Sequence, residues 1–345
     1  MTVRGFAAVL VLLTLAAGVS APAAAQEEFE PPRLADGRPD LQGVWDFRTL
    51  TPLQRPEEQE SAVLTAEEAA EIEARSAERS AELNAPTERS GELLPVGGNV
   101  GGYNHYWVDQ GASVVDDQRT SLIVDPPDGR VPPLQPGFEL IELSLGEDRP
   151  GTRPVRVRAA GIGADSYEDR GLAERCLLGF NSGPPIVPAG YNQNLQIFQT
   201  PDHVVILHEM VHDARIVPLD GRDHLPAGVR QWMGDSRGYW DGDTLVVEST
   251  NFTDKVASFN PSVATAAGTG STLHLTERFT RVAGDTLLYE FTVNDPATFT
   301  RPFTAALPMK LGEGMYEYAC HEGNYGLFNI LSGARAAERA AAAQQ

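Results

Sequence analysis

His208, Glu209 and His212 stand in the order His-Glu-Met-Val-His, which matches the H-E-x-x-H pattern of zinc hydrolases. That chemistry needs two imidazoles on one ion and a carboxylate to take a proton from the metal-bound water. On an α-helix, residues four apart share a face with Cβ atoms roughly 5–6 Å apart, so both histidines reach one ion. On a strand the same four residues span about 13 Å, and no single ion bridges them. The stretch 203–218 therefore means one thing as a helix and another as a strand.

Thr200-Pro201-Asp202 is a fair helix start, and Val204, Leu207, Val211 and Ala214 recur at helical spacing. Against a helix, Val204, Val205, Ile206, Val211, Ile216 and Val217 are β-branched, and strand patterns flank the stretch on both sides. Position 215 is Arg, so no third ligand follows at the metzincin spacing. The strand is favoured. No metal cofactor is then favoured, and zinc on His208 and His212, with Glu209 as base, is the alternative. As a strand, alternation puts His208, Met210 and His212 on one side, and Leu207, Glu209 and Val211 on the other. A buried Glu209 needs a partner, for which Arg215 and Arg230 are candidates.

A second concentration of functional groups is Cys320-His321-Glu322-Gly323-Asn324. Cys176 and Cys320 are the only cysteines, and in an exported chain they most simply form one disulfide. That bond would hold His321 near Arg175, as a general acid or base oriented by Glu322 or Asp235. The structural alternative is a helix start capped by Asn324 or Glu322. Ligand contacts are expected from Arg215, Arg230, Trp232, Asp235, Arg237, and from His105 and Trp107 in a polar-aromatic string. His274, Glu277 and Glu290, on neighbouring predicted strands, are candidates to project into a lumen. The chain has no C-x-x-C pair and no Gly-rich dinucleotide fingerprint.

The elements that must position these groups are mostly strands. Residues 244–250, 273–282, 286–293 and 299–307 are rich in β-branched and aromatic residues. Gly-Asp-Thr-Leu at 242–245 and again at 284–287 starts a strand after a tight turn. Consecutive antiparallel strands predict a mainly β, barrel-like sheet, lipocalin- or calycin-like, which removes exposed edges. Thr65-Ala-Glu-Glu68 is a capping box opening an Ala/Glu/Arg helix. The expected organisation is a signal peptide (1–25), an extended arm (26–60) pinned by Trp45 and Phe47, and a surface helix (61–85). A single mainly β domain (86–345) follows, with long wrapping loops and a short C-terminal helix.

Arg4, the apolar run 7–19 and Ala23-Ala24-Ala25 form that signal, so the protein is expected to be exported, periplasmic or secreted. With Arg4 removed, 26 basic residues face 48 acidic ones, a net charge of −22. Nucleic acid and anionic membranes are disfavoured as partners, and no later segment has the roughly 20 apolar residues of a membrane span. A small-molecule ligand is the expected partner. Oligomeric state is not encoded in these patterns.

Four motifs resemble a widespread, mostly uncharacterised family of exported bacterial proteins. They are Asp36-Gly-Arg-Pro-Asp-Leu-Gln-Gly-Val-Trp45, Thr120-Ser-Leu-Ile-Val-Asp-Pro-Pro-Asp-Gly129, Arg230-Gln-Trp-Met-Gly-Asp-Ser-Arg237 and Tyr318-Ala-Cys-His-Glu-Gly-Asn324. The resemblance implies a single exported domain and carries no activity or catalytic residues. In that family the position of His208 need not be His. The leading expectation is thus a small-molecule binder, with metal-free transformation of the ligand as its extension, and with Glu209–Arg215 and Cys320–Asn324 lining the pocket. The alternatives are a zinc metallohydrolase and a non-catalytic cell-envelope binding or structural protein.

Overall fold

The computed structural model describes residues 29–85, 105–142, 156–158 and 163–344. The predicted signal and residues 96–102, a Val-Gly-Gly-Asn-Val-Gly-Gly run in the sequence, lie outside them. All elements below belong to one compact unit, Pro31–Gln345.

Thirteen strands occur among the described residues: β1 (Gly43–Asp46), β2 (Ile123–Asp125), β3 (Ile141–Glu142), β4 (Asn194–Gln199), β5 (His203–His208), β6 (Ala214–Pro218), β7 (Asp235–Asp241), β8 (Thr244–Thr250), β9 (Phe259–Ser262), β10 (Thr265–Ala267), β11 (His274–Ala283), β12 (Thr286–Asn294) and β13 (Phe303–Leu311). Nine run in the order β6-β5-β4-β1-β13-β12-β11-β8-β7, and β2 pairs with β13 beside this path. Every pairing is antiparallel. The two ends of the path meet at Gly238, where an added Cβ would stand 2.8 Å from the Val217 side chain. The sheet is therefore a nearly closed barrel, as the strand patterns predict. Its order departs from a sequential up-and-down barrel at β1, which lies between β4 and β13. A small second sheet runs β3-β10-β9.

Period-two alternation sets what fills the barrel. In β11 the inward set is Leu275, Glu277 and Phe279, and their β12 partners Val293, Phe291 and Tyr289 point the same way. With Trp45, Leu195, Ile206, Val217, Leu245, Leu307 and Met309 they make one continuous core. The lumen is thus packed with side chains. The predicted arm is more than a pinned segment, because Trp45 is fully buried and β1 is an internal strand.

Three expectations need correction. The stretch 203–218 is neither one helix nor one strand but a hairpin, with β5 paired to β6 from His203↔Pro218 to Leu207↔Ala214. Val211 and His212 turn the chain at φ 62° and 46°. A β-branched residue disfavours this left-handed region, and no Gly, Asn or Pro marks the turn. Burial offsets that cost, since Met210 and Val211 pack with the Cys176–Cys320 disulfide, Phe180, Tyr191 and Tyr318. The last strand begins at Phe303 and not at Phe299, because the Thr298 and Phe299 amides turn back onto the Asp295 carbonyl. The C-terminal helix is not short: α2 runs through Tyr325–Ala342.

Helix α1 (Ala66–Leu83) carries the predicted capping box, with Thr65 and Glu68 bonded reciprocally. Of its residues only Ala69 is buried.

Candidate ligand-binding site

The H-E-x-x-H residues part company at the hairpin. His208 ends β5 pointing inward and is 1% exposed, whereas His212 is exposed, with Nδ1 3.2 Å from the Tyr318 carbonyl oxygen. The helical face that would bring both imidazoles to one ion is not formed. Among the described residues no group of three His, Cys, Asp or Glu side chains is placed to hold a metal. Neither ring nitrogen of His208 has a hydrogen-bond partner. Burial first, then the Arg215 and Arg158 charges, push its pKa down to about 3, so it is neutral.

Glu209 is buried but takes neither expected arginine. Its carboxylate accepts from the Asn194 side chain at 2.7 Å and from the Tyr316 amide at 3.0 Å. Arg215 instead faces the barrel interior and grips Glu277 with both terminal nitrogens. Tyr289 donates to the same carboxylate at 2.8 Å, and its oxygen accepts from the Ile186 amide at 3.0 Å. Burial, and next the Glu277 charge, push the Tyr289 hydroxyl well up, so it stays protonated. Arg230 donates to the Phe252 and Ser271 carbonyls. Of the three lumen candidates only Glu277 points inward; His274 is exposed, and Glu290 lies on the opposite face beside Arg278.

One end of the barrel is roofed by loops, and between roof and barrel lies a cavity of about 530 Å³. Phe259 forms its floor, packing on Phe303 and Phe291 with centroids 5.0 and 6.2 Å away. The roof is the 184–191 loop, tied to the barrel through the Tyr289–Ile186 bond. Phe180, Val187, Tyr191 and Val263 give it apolar walls. Its polar groups include Arg158 and Ser258. Ser258 is 1% exposed, and its hydroxyl has no hydrogen-bond partner. The Arg158 guanidinium donates to the Gly179 and Pro184 carbonyls, both at 3.3 Å, and forms no ion pair among the described residues. Burial pulls its pKa down to about 10 despite the opposing pull of Asp213.

A wider, open cleft of about 1010 Å³ lies next to it, with Tyr191 lining both. Trp107, Tyr106, Tyr316 and Tyr318 wall the cleft, Glu209 lines it, and Arg48 there is shared between Asp46 and Asp109. His105 stands on the same turn as Trp107 but does not line the cleft.

The remaining predicted residues are dispersed. Cys176 and Cys320 form the disulfide, with Cα atoms 5.8 Å apart. His321 and Glu322 are exposed beside it, and Asn324 caps α2 through the Leu327 amide. Trp232 packs on the core with the Arg175 guanidinium 5.9 Å from its ring centroid. Asp235 is held by His224, the Leu225 amide and Arg237. Burial alone would raise its pKa, but these bonds outweigh it and hold the carboxyl below its usual range. Gly234-Asp-Ser-Arg-Gly238 spells G-x-S-x-G, but Ser236 is on a strand, not on a strand-to-helix turn. Its hydroxyl is bonded to Ser249 inside the barrel, on the face opposite its neighbour Asp235.

Sequence patterns missed Arg158 and Ser258. Both fall in poorly patterned segments, and neither has a motif around it. No known family model and no curated protein matches this chain.

Proposed function

We propose that the protein is a binder of small, largely apolar molecules, with the ligand held in the cavity over the barrel end. One observation carries the reading: a cavity of about 530 Å³ is walled by apolar side chains and holds few polar groups. Ligand sites have this character and typically measure about 300–1,000 Å³. The reading is of binding and not turnover. The Ser258 hydroxyl has no hydrogen-bond partner, so it lacks the adjacent base that activates a nucleophile. The disulfide supports a place of action outside the reducing cytoplasm. The four sequence motifs support membership of the exported family they resemble.

The neutral fluorophore N-phenyl-1-naphthylamine tests the site. Titration into the protein is expected to give saturable fluorescence at one site per chain, abolished when Val187→Trp fills the cavity. Absence of saturable binding, or identical binding by the variant, would refute the proposal.

A further inference from the structure

Resting on the cavity reading above, we infer that the natural ligand carries a carboxylate on an apolar body, bound head-first against Arg158 and Ser258.

A buried guanidinium is stable when a carboxylate neutralises it and its N–H groups are bonded. Arg158 has two carbonyl partners, Gly179 and Pro184, for its five N–H donors. The carboxylate that acts on its charge is Asp213, whose oxygen is hydrogen-bonded elsewhere. Its Oδ2 accepts from the Ser182 hydroxyl at 3.1 Å and from the Gly179 amide at 3.4 Å. Burial also pushes the Asp213 carboxyl up, against the opposing pull of the Arg158 charge, and among the described residues no ion pair joins the two. Among the described residues the cavity thus has a cationic lining group with spare donors and no carboxylate in an ion pair with it.

Ser258 is the independent second observation. It lines the same cavity, is buried, and its hydroxyl has no partner among the described residues. A buried hydroxyl without a partner is costly, and one that can rotate toward an anion is ready to donate. Planar guanidinium donors and a hydroxyl match the two oxygens of a carboxylate, while Phe180, Val187 and Phe259 match a hydrocarbon or aromatic body. The protein's charge of −21 opposes an anion at long range, but that field is screened over roughly 8 Å at physiological salt. Arg158 acts inside that distance.

Matched probes of one skeleton test the assignment: 2-naphthoate and 2-naphthylmethanol compete for bound N-phenyl-1-naphthylamine at neutral pH. A charge-assisted bond predicts that wild type prefers the carboxylate by roughly ten- to a hundredfold. Arg158→Met is expected to erase the preference while keeping alcohol binding, and Arg158→Lys to restore part of it. Ser258→Ala removes a hydroxyl with no partner among the described residues, so it should fold normally and lower carboxylate affinity a few-fold. If wild type binds both probes equally, the carboxylate assignment falls while the cavity reading stands. If neither they nor the fluorophore bind, the cavity reading itself falls. Should Arg158→Met not fold, the wild-type ratio and Ser258→Ala decide the matter.

Discussion

Arg215 and Arg158 are both buried arginines, and they are solved in opposite ways. Arg215 projects from a strand into the barrel, where Glu277 takes both of its terminal nitrogens and Tyr289 completes the carboxylate's bonding. Its Nε has no partner among the described residues, but its charge is taken up by Glu277. Arg158 projects from a loop whose backbone is pinned to Leu172 and Ala173, and among the described residues it hydrogen-bonds only carbonyl oxygens and forms no ion pair. The barrel side is stabilised by continuous strand pairing and a closed ion pair. The loop side is stabilised by scattered side-chain bonds and one covalent link, and it keeps unspent hydrogen-bonding capacity. A charge neutralised by a buried counter-ion marks architecture, whereas one without an ion pair beside a cavity marks a site.

The sharpest way to break this contrast is to remove the covalent link. Cys176 and Cys320 are 144 residues apart in sequence, and the chain-entropy model assigns such a closure about 5 kcal/mol. Because Phe180 and Tyr191 pack in the disulfide's own cluster and also line the cavity, the loss should fall first on the roof. Replacing both cysteines by serine is expected to abolish N-phenyl-1-naphthylamine binding at denaturant concentrations where far-UV circular dichroism still reports an intact barrel. If the two signals are lost together, the two regions are one cooperative unit and the contrast fails.

The barrel side is tested at Glu277. Glu277→Ala leaves Arg215 buried without its anion, a change expected to cost roughly 3–5 kcal/mol in urea unfolding. The double change Arg215→Met with Glu277→Leu should recover most of that loss, since apolar replacement of a whole buried pair is commonly tolerated. A single-variant loss below about 1 kcal/mol, the range of exposed pairs, would mean that the pair is not sealed from water.

What was legible in the sequence follows from periodicity. The strands at 244–250 and 286–293 announce themselves by their β-branched and aromatic residues, and the two Gly-Asp-Thr-Leu turns place their starts. The capping box at Thr65 was legible because both of its partners are local. The hairpin at 209–213 was not, because its turn uses Val211 and His212 in a conformation they disfavour, stabilised by packing against a disulfide remote in sequence. Arg158 and Ser258 were illegible for a related reason. Their meaning lies in what they fail to pair with, and that depends on folded surroundings. Trp107 and Glu209 do share one cleft, while Arg215 and Arg230, proposed for the same pocket, turn inward to Glu277 and aside to Phe252.

His208 lies electrostatically between the two arginines and gives the smallest, most diagnostic effect. Burial and the charges of Arg215 and Arg158 push its pKa down to about 3 from an ordinary 6.5. An unfolded chain therefore takes up a proton as pH falls below about 6.5, while the folded protein refuses it until about 3. Stability from this group is complete above the unfolded value, is lost progressively between those limits, and loses nothing more below them. At one proton the slope is about 1.4 kcal/mol per pH unit, which makes roughly 3 kcal/mol by pH 4.5. His208→Leu removes the titration and two unpartnered ring nitrogens at similar volume. It should change little at pH 7.5 and should flatten the acid limb of unfolding free energy against pH. An unchanged acid limb would show that solvent or a ligand already satisfies the His208 ring, and that the interior beside Arg215 is less closed than the contrast with Arg158 requires.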